Sequence, residues 1–275
     1  MSIEPPLTSE PRETTRRDTV LRIALPIAVL ALGMLAWDLA VRLTDTPAYK
    51  IPSPGVVFTT LREDWPVLSS SLLVTLTTTF EALGLAVLGG VALAILFSQS
   101  RLVEYSLYPY AVILQVTPVI AIAPVLLIYL EPSVAVLACA WIVAFFPVLA
   151  NTTLGLNSVD RNLVDLFALY GASRGQILLY LRLPAALPAT LTGVRIAGGL
   201  SLIGAVVAEI AAGSAGAGSG LAFRIAESGY RLMIPRMFAA LLLLSLAGIA
   251  IFFVLSLLSH AVLHRWHESA LSPER

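Results

Sequence analysis

His260, His264 and His267 recur at i, i+4 and i+7, a spacing that would line three imidazoles along one helix face as metal ligands. No fourth ligand accompanies them, and their place beside an apolar run reads better as an interfacial tail. Cys139 is the single cysteine, so neither a disulfide framework nor a cysteine-based metal site forms within one chain; inside an apolar run it reads as a small packing residue. The zinc-hydrolase pattern H-E-x-x-H is absent. So is the phosphate-binding G-x-x-x-x-G-K-[ST], and Lys50 is the only lysine. Gly213 to Gly220, GSAGAGSG, lacks the lysine and the preceding strand of a nucleotide loop and reads as a tight, irregular turn.

What remains is a set of isolated charges inside apolar sequence. On insertion scales an ionisable group at a bilayer centre costs roughly 2.5–3.5 kcal/mol, so such groups line a cavity or have a partner. Asp38 has Arg42 four residues on, a helical pair. Glu131 falls in a turn and reads as solvated. Arg195 and Glu209 lie near the two ends of one apolar run. Glu81 has no partner nearby in sequence; it lines a path, pairs with a distant arginine or faces the outer side. Gln115, Thr117 and the threonines from Thr75 to Thr79 offer further hydrogen bonds, to a path or between packed helices.

The elements that position these groups are apolar helices. Of the 275 residues, 58% are hydrophobic and only 12% charged, and the mean hydropathy is +0.88, which excludes an ordinary soluble domain. The formal net charge of zero argues against a nucleic-acid partner. A span takes about 20 mostly apolar residues. Six fit: Val20 to Leu43, Ser71 to Phe97, Tyr108 to Leu130, Pro132 to Leu154, Ala189 to Ala212 and Met237 to Leu263. Pro118, Pro124 and Pro147 are expected to break helices and to mark the third and fourth spans as walls of a path, since freed backbone inside a bilayer must be buried or line water. A tight hairpin around Glu131 and Pro132 joins those two spans. IPSPG at Ile51 to Gly55 predicts a turn followed by a short amphipathic helix on the outer surface. Gly193, Ala197, Gly198, Ser201, Gly204, Ala205 and Ala208 form a close-packing face on the fifth span, expected at a homodimer seam or at the pore. Residues 1–19 form a polar tail, 20–265 one transmembrane domain and 266–275 a second tail. Arginines near the span ends place both termini, and the loop of residues 157–188, in the cytoplasm.

That loop contains Asp165 to Pro188, DLFALYGASRGQILLYLRLPAALP, a polar, arginine-bearing insert between apolar runs. Leu163, Leu166, Phe167 and Tyr170 follow helical spacing and form one apolar face. Gly171 suits a left-handed helix stop. Ser173 and Gln176 match a capping box that opens a second helix with Ile177, Tyr180 and Leu181 on its apolar face. Pro184 and Pro188 punctuate entry into the fifth span. A membrane protein with such an element outside the bilayer docks something there.

Here a resemblance becomes specific. The run LFALYGASRGQILLYLRLPAALPATLTGVRIA resembles the EAA loop of bacterial ABC importer permeases, with Ala168, Gly171, Ala172, Ser173, Leu183, Pro184 and Pro188 matching its pattern. The glutamate that opens the family motif is replaced by Asp165 or has no counterpart. IPSPG, the run from Gln115 to Pro124, and VVAE at Val206 to Glu209 are similar to the nitrate, sulfonate, taurine and thiamine-precursor branch; the likeness covers about residues 50–265. It implies an all-α, polytopic type I importer permease with about six transmembrane helices, in a bacterial inner membrane. The implied subunit has no catalytic residue, metal or cofactor of its own. ATP and magnesium sit on a cytoplasmic ABC ATPase dimer, and an external solute-binding protein and a second copy of the chain complete the partners. The resemblance assigns the ATPase-coupling loop to Asp165, Ala168, Gly171, Ala172, Ser173, Arg174, Gln176 and Pro184. The expected translocation path holds Glu81, Gln115, Thr117, Pro118, Pro124 and Glu209, and the expected substrate is a vitamin precursor of pyrimidine or flavin type, with a sulfonate, taurine or nitrate as alternative. A non-pore scaffold is the reading from another class.

Overall fold

A computed structural model describes residues 16–213 and 218–264, leaving out side chains at 16–20 and 23. Most of the N-terminal tail, residues 214–217 of the glycine-rich tract, and Arg265, His267 and Arg275 lie outside that description. The described chain is helical: α1 Arg16–Leu43, α2 Pro54–Glu63, α3 Trp65–Gln99, α4 Arg101–Val116, α5 Val119–Tyr129, α6 Pro132–Asn157, α7 Arg161–Leu169, α8 Arg174–Ile177, a π segment Leu178–Arg182, α9 Leu183–Ala212, α10 Leu221–Tyr230 and α11 Ile234–Leu263. Five helices are long and apolar enough to cross a membrane, six if the bent pair α4–α5 counts as one span. Both described chain ends, and the insert, lie at the same end of the bundle.

The proline expectations divide. Between α4 and α5 the chain bends by 100°. Thr117 there is extended, ψ 123°, as the residue before a proline prefers, and Pro118 begins a new helix. Pro124 and Pro147 break nothing: α5 and α6 run through them. In α6 the bond that the Val143 carbonyl loses at Pro147 is tolerated because α3 and α9 hold the helix on both sides.

α6 is the central helix, packed between α3 and α9. Lipid is as apolar as leucine, so this packing rests on close van der Waals contact rather than on escape from water. Ala82, Ala86, Ala140, Ala144, Ala197 and Ala205 are fully buried along it. A Cβ on Gly193 would lie 2.7 Å from the Pro147 carbonyl oxygen, and one on Gly204 would lie 2.8 Å from Ala140 Cα. The small residues of the fifth span are therefore spent inside the chain, on α6 and α11. This corrects the expected homodimer seam or pore: the glycines sit where two backbones of one protomer nearly touch.

At the opposite end to the insert, α2 begins as IPSPG predicts, with Ser53 accepting from the Val56 N–H and Pro54 in the first turn. It does not merely lie on the surface: Val57 is buried against Leu68, Leu221 and Ala239. Arg236 at the start of α11 grips Asp64, between α2 and α3, through two hydrogen bonds of 2.6 and 2.8 Å. α1 stands apart. No residue of its most apolar window is buried, and Trp37 touches the bundle through Phe238, with ring centroids 5.9 Å apart.

Gly193→Val is expected to destabilise the protein by about 1–3 kcal/mol through overpacking. Gly33→Val on α1, where a Cβ meets nothing within 4 Å, should leave the melting temperature near that of the parent. Thermal unfolding of the detergent-purified proteins checks both.

Candidate functional site

Two polar constructions stand at opposite ends of α9. The first is the insert. Asp160 caps α7, its carboxylate accepting from the Asn162 N–H at 2.9 Å. The Tyr170 and Gly171 N–H groups donate back to Leu166 and Ala168, and Gly171 turns the chain with φ +75°, a conformation only glycine adopts freely. Ser173 then caps α8 in a reciprocal box: it accepts from the Gln176 N–H at 3.3 Å while Gln176 Oε1 accepts from the Ser173 N–H at 2.7 Å. Glycine stop and capping box stand where the sequence placed them.

The second helix of the insert does not end before the fifth span. From Arg174 to Ala212 the chain is one helical rod of 39 residues, passing Pro184 and Pro188 without a break. The expected punctuation is absent because five residues of π-helix, Leu178–Arg182, immediately precede Pro184, and a widened turn accommodates a residue that cannot donate to the ladder. Arg182 Nη1 donates to the Ser98 carbonyl at 3.4 Å, tying the rod to the end of α3. A Cβ on Gly155 would press on Ala186 Cα at 2.9 Å, so the rod also lies tight against α6. The apolar side chains of the insert remain uncovered: Leu163, Leu166, Leu169, Tyr170, Leu179 and Tyr180 are exposed, Tyr170 to 85%. A contiguous uncovered apolar surface of this kind marks a contact with another molecule.

The second construction surrounds Glu209, which is only 5% exposed. Thr75 Oγ1 on α3 donates to its Oε1 at 2.8 Å, and the Ala222 N–H donates to Oε2 at 3.0 Å. The Leu221 N–H donates to Thr75 Oγ1 at 2.8 Å. A carboxylate and a hydroxyl thus satisfy the first two orphan N–H groups of α10, where negative charge is also favoured by the helix dipole. Gly220 is the residue this permits, since a Cβ there would collide with the Glu209 carboxyl group. Around it, Arg224 pairs with Glu227 at 2.8 Å and Arg231 with Glu227 at 3.1 Å.

The six residues expected along a path do not converge. Glu209 faces into the bundle. Glu81, at the middle of α3, is exposed with Leu73, Leu85 and Leu88 on the same uncovered side. Gln115, Thr117 and Pro118 gather at the α4–α5 bend, where Thr117 Oγ1 donates to the Ile113 carbonyl at 2.6 Å, and Pro124 lies exposed on α5. Asp38 meets Arg42 at 2.7 Å, as the spacing predicts. Glu227 and Asp64 escaped the sequence reading, as did the pairing of Arg236 with Asp64; the two are 172 positions apart, and no periodicity links them. Gly220 carried a faint signal in its glycine-rich tract. Among the described residues no cluster of histidine, cysteine, aspartate or glutamate could hold a metal.

Comparison with known proteins bears on both ends. The family model described as "Binding-protein-dependent transport system inner membrane component" matches residues 86–268. The riboflavin transport system permease protein RibX of Chloroflexus aurantiacus is 34% identical, over 90% of this chain and 91% of that protein. The formylaminopyrimidine transport permease protein ThiX of Halalkalibacterium halodurans is 32% identical, over 86% of this chain and 94% of its own length. The nitrate import permease protein NrtB of a Synechocystis strain reaches 27%, over 84% of each chain. Among solved structures, that of an amino acid ABC transporter with histidines superposes with a TM-score of 0.60 at 21% identity, covering 74% of this chain and 98% of that one.

Glu209→Ala strands the Ala222 N–H and is expected to destabilise by about 1–3 kcal/mol. Thr75→Val should do likewise, and the double variant should lose less than the sum, because both remove one network; a double-mutant cycle on thermal unfolding reads the coupling. At Glu227 the hydrogen bond from Arg224, helped by the charges of Arg224, Arg231 and Arg236, holds the carboxyl below the usual carboxylate range. Its stabilisation is full above the unfolded carboxylate pKa and disappears as pH falls through the lowered folded value. The acid limb of the melting curve should therefore flatten in Glu227→Gln.

Proposed function

The chain belongs to the binding-protein-dependent transport system inner membrane components and is a multi-pass permease subunit of an ABC transporter; we propose that it forms the translocation path of an ATP-driven importer for a small organic solute, with vitamin precursors of pyrimidine or flavin type as the substrate class. The observation that carries this reading is the insert: an uncovered apolar knob, turned by Gly171 and closed by a capping box, mounted on the rod of α9. A cytoplasmic ATPase subunit that holds α7 and the Gly171 turn would move α9 as a lever, because helix, π segment and capping box give no slack. ATP and magnesium belong to that partner. One insert per chain matches two ATPases when two copies of the chain assemble, with both termini and the insert in the cytoplasm of a bacterial inner membrane and a solute-binding protein outside.

Charge supports the substrate class. The outer arginines Arg224, Arg231 and Arg236, which would otherwise favour an anion, are each paired with a carboxylate of the same chain. Glu81 has no ion pair among the described residues, and it stands on the uncovered face of α3. As a path residue it favours a neutral hydrogen-bonding or zwitterionic ligand over an oxyanion. The names carried by the relatives at 32% and 34% identity agree with that class, and the relative at 27% keeps nitrate as the alternative.

Whole-cell uptake with and without the chain tests the reading, using labelled formylaminopyrimidine, riboflavin, taurine, an alkanesulfonate and nitrate. Uptake of either of the first two is expected; uptake of nitrate or a sulfonate alone would overturn the substrate class. Gly171→Val forces a β-branched residue into the left-handed region at about 1–2 kcal/mol and should abolish uptake while the protein still inserts. Glu81→Gln should change the substrate profile, and an unchanged profile removes Glu81 from the path.

A further inference from the structure

Most arginines at the end away from the insert are paired, with Arg62 the exception among the described residues. At the outer end Arg42, Arg224, Arg231 and Arg236 all have carboxylate partners within 3.1 Å. At the insert end Arg101, Arg161 and Arg174 have no ion pair or hydrogen bond from their side chains among the described residues, and Arg182 gives one N–H to the Ser98 carbonyl. These groups are not scattered. Arg101, Arg161 and Arg182 line a single cleft of about 620 Å³ between the start of α4, the end of α6, α7 and the π segment. An adjoining hollow of about 260 Å³ shares Ser98, Val164 and Arg182 with it and adds Arg174. Glu104 and Asp165 stand in the wall of the larger cleft without reaching ion-pair distance of any arginine.

Three guanidinium groups from three separate elements line one cleft, and neither carboxylate in its wall pairs with them; guanidinium forks of this kind suit an oxyanion such as phosphate. Asn157 and Tyr105 in the same wall add neutral donors. We propose that this cleft binds a phosphate group, carried either by the headgroup of an anionic phospholipid or by a free phosphate compound. Seated there, the phosphate bridges the α3–α4 junction to the root of the insert. It therefore braces the joint at which Arg182 already ties the rod to α3. The lining includes Arg161, Val164 and Asp165 of α7, so the site adjoins the surface on which the proposed ATPase docks.

The test uses the full chain, purified and placed in phosphatidylcholine nanodiscs. One arm adds phosphatidylglycerol or cardiolipin and counts retained lipid by native mass spectrometry; the other titrates inorganic phosphate and pyrophosphate by calorimetry. Retention of about one anionic lipid per chain supports the lipid source, and saturable pyrophosphate binding supports the free source. Either should weaken at least tenfold in Arg101→Gln/Arg161→Gln, while Arg42→Gln at the other end changes nothing. Should the double glutamine variant fail to fold, Arg101→Lys/Arg161→Lys keeps the charge and loses the forks, and should weaken binding by a smaller factor. No binding of either probe above the phosphatidylcholine background, or equal binding by the arginine variants that fold, overturns the proposal.

Discussion

A carboxylate buried at the end of a transmembrane helix holds together the half of this protein opposite the insert. Glu209 belongs to α9, its hydroxyl partner Thr75 to α3, and the N–H groups they accept from to α10. Removing either acceptor would strand buried donors, whose desolvation is not recovered elsewhere. The carboxyl oxygens face the positive end of a helix, which supplies them with backbone donors. Gly220 must be a glycine for this to occur, since any side chain would displace the carboxylate. The knot also fixes where α10 starts, and so sets Arg224 near Ser71, where its Nε donates at 3.1 Å.

The same rod that ends in this knot begins in the insert. At about 1.5 Å per residue the 39-residue stretch from Arg174 is roughly 58 Å long. Along this rod α9 is seated on α6 by close backbone contacts at Gly193 and Gly204, which is what the proposed coupling would need to carry a displacement from the capping box toward Glu209. The π segment is the one irregular turn in the rod, and it lies where Arg182 meets α3. Lever, fulcrum and far attachment are thus three local features of a single helix and its neighbours.

The spans and the insert were legible because their signals are local. Apolar runs of sufficient length, a glycine after an amphipathic turn, and Ser173 with Gln176 three residues on all act within one helical turn or one bilayer thickness. The bend at Pro118 was legible too, as was the Asp38–Arg42 pair. What stayed hidden was long-range or depended on tertiary support. Nothing in Asp64 announces Arg236, and Thr75 was one hydroxyl among several until α9 and α10 met it. Pro147 and Pro184 carry the same local signal as Pro118, but packing or a π turn absorbs them. The small-residue face of the fifth span was recognised as a close-packing surface, and its partner was misassigned because a single sequence does not say whether the facing backbone belongs to the same chain.

Charge placement closes the account of why one chain is insufficient. Every ion pair found among the described residues lies at the outer end or on α1. Glu81 is left at the middle of α3, exposed among leucines on a face that no helix of this chain covers. A carboxylate facing hydrocarbon would be costly, whereas one facing water or a polar ligand is not. α1 is likewise unsupported over its apolar window. Lipid satisfies most of α1, whose exposed residues between Ala24 and Trp37 are apolar; lipid does not satisfy Glu81. The face of α3 that carries Glu81 is therefore where the proposed path would lie, with a second transmembrane subunit of the proposed assembly placed against it.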